Sequence, residues 1–130
     1  MESIFEYVGN TGAKLKVILE TGELGSYDAI RSASTLAMLA GADTIKTSTG
    51  KTGTGATPEA VATMLDVIAL DGGRVGIKPS GGVRTVAEAL GLLDLAAARL
   101  GAEWATPETF RFGASGLLAD ALSALPDAAH

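Results

Sequence analysis

The sequence predicts an α/β fold built on a parallel sheet, because strand-like segments alternate with segments of helical spacing. Three segments have the composition of short buried strands and a fourth is weaker: residues 15–21 (LKVILET), 43–48 (DTIKTS), 74–79 (RVGIKP) and 110–115 (FRFGAS). The strand lysines also recur at a nearly constant spacing. Lys46 follows Lys16 by 30 positions and precedes Lys78 by 32.

This spacing matches a known architecture. A (β/α)8 TIM barrel of about 250 residues gives about 31 residues to each βα unit. The 130 residues therefore hold four units, which is half of such a barrel, and we expect residues 1–130 to form one domain.

Each helix is predicted from its caps and its apolar spacing. Proline at the first helical position and the Ser/Thr-x-x-Glu capping box are typical helix starts. In chain order, the signals are the box Ser3/Glu6, the cap Ser26, the start Thr57-Pro58-Glu59, the box Thr85/Glu88 and the series Leu118, Leu122 and Leu125.

Half a barrel leaves one face of its sheet uncovered, whereas parallel sheets are normally covered on both faces. Side chains alternate along a strand, so Lys16, Ile18 and Glu20 share one face, as do Lys46 and its neighbours two positions away. These polar groups indicate a functional interior. We expect a partner to cover it, either in a homo-oligomer or as a complementing N-terminal half-barrel chain.

Composition excludes several classes of function. The chain has no cysteine, and its only histidine is the terminal His130, which argues against thiol chemistry, histidine-dependent triads and histidine metal sites. A net charge of -5 without a basic run argues against nucleic-acid binding. No apolar run approaches the roughly 20 residues of a membrane helix. Since no signal peptide is evident either, the expected location is cytoplasmic.

Lys46 and Lys78 are the first candidate catalytic residues. Each is the charged residue within an otherwise apolar or small-residue strand, TIKT and GIKP. Neighbouring strands lie about 4.8 Å apart, so two ammonium groups at matching positions would lower the pKa of one of them. A lysine that is partly neutral can act as an amine nucleophile. The alternative is that both are solvated strand lysines.

Glycine-rich segments follow three of the strands: residues 49–52 (TGKT), 80–85 (SGGVRT) and 113–116 (GASG). Glycine lets backbone N–H groups approach an anion, and a helix N-terminus favours negative charge. Phosphate sites in these barrels commonly follow strands seven and eight. The sequence therefore predicts a phosphate pocket to which Lys51 and Arg84 contribute charge, although each segment alone would also suit an ordinary tight turn.

Two nucleotide-binding motifs can be tested against the same residues. The segment 48–52 (STGKT) ends like a P-loop, but that motif requires glycine where Ile45 stands. The segment 53–55 (GTG) lacks the third glycine and the preceding strand of a dinucleotide fingerprint. Neither nucleotide-binding class is favoured.

Four segments together closely resemble the deoxyribose-phosphate aldolase family: residues 15–24, 41–51, 75–85 and 110–118. The resemblance implies a metal-free, cofactor-independent class I aldolase. Such an enzyme cleaves 2-deoxy-D-ribose 5-phosphate reversibly to acetaldehyde and D-glyceraldehyde 3-phosphate through a lysine Schiff base. The resemblance also implies that Lys46 forms the Schiff base, that Lys78 perturbs Lys46 and takes part in proton transfer, and that Lys16 lines the same pocket. The positions that would surround the phosphate are Gly50, Lys51, Gly81, Gly82, Val83, Arg84, Gly113 and Ser115.

The sequence departs from the family pattern in two ways. Gly116 stands where many relatives have a hydroxyl residue. Family members also have four more βα units before this region, with a strand aspartate that works alongside the second lysine. Glu20 is the nearby carboxylate that would replace it, or else an ion-pair partner of Lys16 or Lys46.

Two other functions remain open from the sequence. One is a non-catalytic or engineered half-barrel fragment that associates with itself and keeps only a phosphate pocket. The other is a phosphate-binding barrel or open-sheet protein without imine chemistry.

Overall fold

A computed structural model describes residues 3–125 of the chain. His130 lies outside these residues. The elements, in chain order, are α1 (Ile4–Thr11), β1 (Lys16–Ile18), a 3₁₀ helix (Thr21–Glu23), α2 (Tyr27–Leu39), β2 (Thr44–Lys46), α3 (Pro58–Leu70), β3 (Gly76–Lys78), α4 (Val86–Leu100) and α5 (Leu117–Ala124).

The three strands form one parallel sheet in the order β1-β2-β3. This arrangement confirms the predicted α/β class with helical crossovers, although each strand is shorter than its predicted segment. The register pairs Ile18 with Lys46 and Lys46 with Lys78. The two candidate catalytic lysines are therefore direct neighbours across β2 and β3.

The fourth predicted strand is present only as two isolated parallel bridges beside β3, Ile77 with Phe110 and Ser80 with Gly113. Ile77 N donates to Thr109 O at 2.8 Å, and Gly113 N donates to Pro79 O at 2.8 Å. Proline has no N–H, so Pro79 cannot donate the bond that would join the two bridges into one ladder. The segment therefore keeps the position of a fourth strand without becoming a regular one.

The helix starts follow the predicted caps. Ser3 and Glu6 form the complete capping box of α1, and Thr57 caps α3, with Pro58 at the first helical position. The box predicted at α4 is only half formed. Thr85 accepts from the Glu88 amide, but the Glu88 carboxylate accepts from Arg84 N at 3.0 Å instead of from Thr85 N.

The hydrophobic core lies between the sheet and the helices on one of its faces. Ile45 and Ile77, at the centres of β2 and β3, are fully buried against apolar side chains of α3 and α4. On the opposite face Lys46 and Lys78 are half-buried, and Ile18 is 43% exposed. The structure thus has one covered face and one open face, which we call the lysine face.

Candidate active site

The lysine face brings together three lysines from three strands. Lys46 and Lys78 occupy the C-terminal positions of β2 and β3, in register with each other. Lys16 lies at the start of β1, opposite Thr44, and is exposed. Because residues two apart on a strand point to the same side, all three side chains project from the face that the helices leave open.

The pKa of Lys78 is lowered from its ordinary value of 10.5. Desolvation is the largest cause, followed by the positive charge and close approach of Lys16, and then by the charge of Arg111. The sequence predicted that one lysine would be perturbed by its neighbour in register. The structure instead identifies Lys16 and Arg111 as the cations that act on Lys78.

Glu20 lies beside the loop that follows β2. Its carboxylate accepts from the Thr49 hydroxyl at 2.8 Å and from the Thr52 hydroxyl at 3.1 Å. It also accepts from the Thr49 amide, at 3.2 Å and 3.3 Å to its two oxygens. The predicted ion pair with Lys16 or Lys46 is wrong: none of the ion pairs among residues 3–125 includes Glu20.

A buried hydrogen-bonded cluster holds the ends of β2 and β3 together. Thr47 Oγ1 donates to Ser80 O and accepts from Ser80 N, both at 2.8 Å. Ser48 Oγ donates to the same carbonyl at 2.6 Å. These side chains satisfy backbone groups beyond the regular strands, where the ladder alone would leave them unpaired. They therefore fix the starts of the two loops that carry the phosphate-site candidates.

Glycines allow these loops to pack against one another. A Cβ atom on Gly55 would stand 2.2 Å from Gly81 O, while Ala56 N donates to that oxygen at 2.8 Å. A Cβ atom on Gly113 would stand 2.5 Å from Ser80 Oγ and 3.3 Å from Lys78 Cε. The segment 113–116 can thus lie directly beside Lys78 only because residue 113 lacks a side chain.

The predicted phosphate-site residues differ in exposure. Gly50, Lys51, Gly82, Arg84 and Ser115 are exposed, Gly81 and Gly113 are half-buried, and Val83 is buried. The Val83 side chain belongs to the core, so only its backbone is available to a ligand. Gly116 is the N-cap residue of α5 and provides no side-chain cap.

A groove of ≈ 570 Å³ lies between the N-terminal parts of α3 and α4. Gly81 and Gly82 form part of its wall, but Leu92 and Leu95 of α4 also line it, and neither Lys46 nor Lys78 does. This groove is therefore on the helical side of the sheet and does not coincide with the lysine face.

Several contributors to the site were not predicted from the sequence. Thr49 and Thr52 bind Glu20, and Arg111 influences Lys78. For Arg111 a signal existed, because it stands two positions before Gly113 in the fourth predicted strand and so shares its face. The contacts of Glu20 had no such signal, since they join residues 29 and 32 positions apart.

Metal and membrane features can be assessed for residues 3–125. In that part of the chain, His, Cys, Asp and Glu side chains do not gather in a group of three or more that could hold a metal ion. No helix there is both long enough and apolar enough to cross a membrane.

The parallel strand order, the helices on one face and the lysines on the other define this chain as an α/β protein and fit half of a (β/α)8 barrel. The sequence model of the "DeoC/LacD family aldolase" matches residues 10–122. The chain belongs to this aldolase family.

Individual relatives agree with this assignment. The chain is 53% identical over 111 residues to the deoxyribose-phosphate aldolase of Agrobacterium fabrum, a match that covers 85% of this chain and 43% of that protein. A Toxoplasma gondii structure assigned as a deoxyribose-phosphate aldolase superposes with a TM-score of 0.81 at 30% identity, covering 92% of this chain and 48% of the other. A deoxyribose phosphate aldolase from Aeropyrum pernix, described as having a unique tetrameric structure, gives 0.65 at 28% identity and 92% and 45% coverage. The chain thus spans less than half the length of these relatives.

Proposed function

We propose that this chain carries the Schiff-base half of a deoxyribose-phosphate aldolase site. The reaction would be the reversible cleavage of 2-deoxy-D-ribose 5-phosphate to acetaldehyde and D-glyceraldehyde 3-phosphate. Family membership and the relative at 53% identity support the substrate class. The observation that carries the proposal is the register of Lys46 with Lys78 at the ends of adjoining strands, beside glycine-rich loops.

Lys46 is the proposed nucleophile. Its neutral amine would add to the substrate aldehyde to give a carbinolamine, which loses water to form the imine. In the cleavage direction the protonated imine would accept the electron pair of the breaking carbon–carbon bond and become an enamine, while the neighbouring substrate hydroxyl loses its proton and becomes the aldehyde of the departing product. Protonation and hydrolysis of the enamine would release acetaldehyde and the free amine, and in the reverse direction the enamine would donate the pair to the new bond. Lys46 is half-buried on the open face, so its amine is held by the strand while an aldehyde can reach it.

Lys78 is the proposed proton-transfer partner. Its lowered pKa means that a larger fraction is unprotonated at a given pH than for an ordinary lysine. A general acid–base group works best when its pKa lies near the working pH. The adjoining strand position, about 4.8 Å away at the backbone, keeps its amine within reach of chemistry at Lys46.

The phosphate group would be held at the glycine-rich strand ends. Gly50, Gly81 and Gly82 all have positive φ angles, between 82° and 90°, so their N–H groups can turn toward an anion in ways that other residues rarely allow. Lys51 and Arg84 are exposed on the same two loops and would supply charge, and Lys16, which is exposed on β1, would line the pocket. Val83, Gly113 and Ser115 complete the proposed set.

The earlier βα units of the family would supply the rest of the site. Loss of a general acid–base group typically lowers a rate by about 10²–10⁴-fold. We therefore propose that full turnover requires a first half of the barrel to cover the lysine face, whereas imine formation at Lys46 does not require it.

Borohydride trapping tests the proposal. The chain is incubated with acetaldehyde or 2-deoxy-D-ribose 5-phosphate and reduced, and the modified residue is located by peptide mass spectrometry. We expect a single stable adduct on Lys46, its loss in Lys46→Met, and its retention in Lys14→Met, which changes an exposed lysine ahead of β1. The proposed chemistry would be contradicted if the unmodified chain formed no adduct. It would also be contradicted if Lys46→Met formed as much adduct as the unmodified chain.

A further inference from the structure

Glu20 has an unusual backbone conformation. Among the described residues it is the only one other than glycine with a positive φ angle, at φ 56° and ψ 61°. An L-residue is strained in this left-handed region, where glycine is not. The residues on either side are fixed to β2 and its extension: Leu19 N donates to Lys46 O at 2.9 Å, and Thr21 N donates to Thr47 O at 2.8 Å.

This conformation directs the Glu20 carboxylate at the loop after β2. The two oxygens share three donor groups: the Thr49 amide, the Thr49 hydroxyl and the Thr52 hydroxyl. Charged acceptors form the stronger class of protein hydrogen bonds. The donors span the whole of residues 49–52, which we call the 49–52 loop.

The contacts continue to the candidate phosphate residues. Thr49 Oγ1, which donates to Glu20, accepts from the Lys51 amide at 3.1 Å. Gly50 lies between them with φ 82°. The Glu20 carboxylate is therefore linked through Thr49 to the Lys51 amide, in a loop that begins three residues after Lys46.

The chemical state of Glu20 argues against a role as proton donor. Its pKa is lowered from the ordinary value of 4.5, chiefly by the hydrogen bond from the Thr49 side chain; partial desolvation opposes this, and the amide of Thr49, the Thr52 hydroxyl and the charge of Lys46 add to it. The group is thus a carboxylate at neutral pH, with its oxygens occupied as acceptors. Because all of these contacts use its oxygens as acceptors, they favour a structural role for the carboxylate.

We propose that Glu20 is a positioning residue, which holds the 49–52 loop beside Lys46 in the conformation that recognises the substrate phosphate. The phosphate part of this inference rests on the proposed function. A negative charge close to a phosphate dianion is repulsive in itself. The arrangement favours phosphate binding only if the carboxylate orders the loop. Removal of the carboxylate would then weaken phosphate binding, whereas removal of a merely repulsive charge would strengthen it.

Two variants separate these roles. Glu20→Gln removes the charge but keeps the shape and one acceptor oxygen. Glu20→Gly removes all the contacts and suits the positive φ, so the backbone is not penalised. Glu23→Gln is the matched control, since Glu23 is an exposed acid of the adjoining 3₁₀ helix and its carboxylate has no hydrogen bond to the 49–52 loop.

The first measurement compares imine trapping by 2-deoxy-D-ribose 5-phosphate, 2-deoxy-D-ribose and acetaldehyde. Loss of charge-assisted hydrogen bonds should raise the half-saturating concentration of the phosphorylated sugar on the order of tenfold in Glu20→Gly, and less in Glu20→Gln. The values for the two unphosphorylated aldehydes should stay within about twofold, because the imine itself does not use the loop. An equal rise in the half-saturating concentration of all three compounds would overturn the proposal. Tighter binding of the phosphorylated sugar in Glu20→Gln would overturn it as well.

The second measurement does not depend on the reaction. Amide hydrogen exchange at Thr49 and Lys51 should be faster in Glu20→Gly than in Glu23→Gln. Equal exchange in the two variants would overturn the positioning role even if trapping succeeds. If the unmodified chain traps no aldehyde, the aldolase proposal fails, and faster exchange in Glu20→Gly still supports the hold of Glu20 on the loop.

Discussion

Lys78 shows how a few side chains set the chemistry of the lysine face. It is half-buried, and Lys16 and Arg111 both add positive charge nearby. Each of these effects disfavours its protonated form. In the window between the lowered pKa and the ordinary one, the folded chain binds fewer protons than the unfolded chain. The contribution of Lys78 to folding stability therefore rises as pH increases through that window.

This arrangement predicts that Lys16→Met and Arg111→Gln raise the pKa of Lys78 toward 10.5, because each removes one of the nearby charges. The effect should be larger for Lys16→Met, which also removes the close ammonium group. It can be measured by an NMR titration of isotopically methylated lysines, with Lys78 assigned from Lys78→Arg. Arg31→Gln, which changes an exposed arginine paired with Asp28 on α2, is the control. A Lys78 titration that does not move in either variant would rule out this account.

At the scale of elements, local signals predicted the helix starts and the lysine register. The caps at Ser3 and Thr57 act within one turn, so the sequence was sufficient for them. The 32-residue spacing of Lys46 and Lys78 likewise predicted their pairing. The hydrogen bond from the Arg84 amide to the Glu88 carboxylate was missed, because the Arg84 and Thr85 amides compete for the same carboxylate and the outcome depends on how the chain enters the helix.

Long-range contacts were harder to predict. The hydrogen bonds between Glu20 and Thr49 require a left-handed backbone at Glu20, which a glutamate does not favour. The broken fourth strand follows from Pro79, whose missing N–H was visible in the sequence but matters only once Phe110 and Gly113 lie beside it. The places of Lys46 and Lys78 in the sheet were thus easier to predict than the long-range contacts around them.

The loops before α3 and α4 pack so closely that adding one methyl group at Gly55 should lower the stability of the fold. Gly55→Ala would place Cβ against the backbone of Gly81, which cannot rotate away as a side chain could. We expect the free energy of unfolding to fall by about 1–3 kcal/mol, as overpacking typically causes. Urea denaturation followed by circular dichroism measures this. Gly53→Ala is the control because a Cβ there meets no atom within 4 Å, and an equal loss in both variants would contradict the packing argument.

The whole molecule is asymmetric about its sheet. One face is sealed by α3 and α4 over Ile45 and Ile77, while the other leaves Ile18 and the lysines in contact with solvent. Parallel sheets are stable when both faces are covered. The lysine face is therefore expected to be covered in solution, by a second copy or by a first half of the barrel.

This expectation can be tested with the chain alone. We predict that it sediments as an oligomer at micromolar concentration, and that Ile18→Ser shifts it toward monomer because the contact would bury this apolar side chain. Leu39→Ser, which changes a leucine that is 81% exposed on α2, should leave the distribution unchanged. Sedimentation velocity over a range of concentrations provides the measurement. A concentration-independent monomer would show that the open face needs no cover, and an equal response to both variants would place the contact elsewhere than on the lysine face.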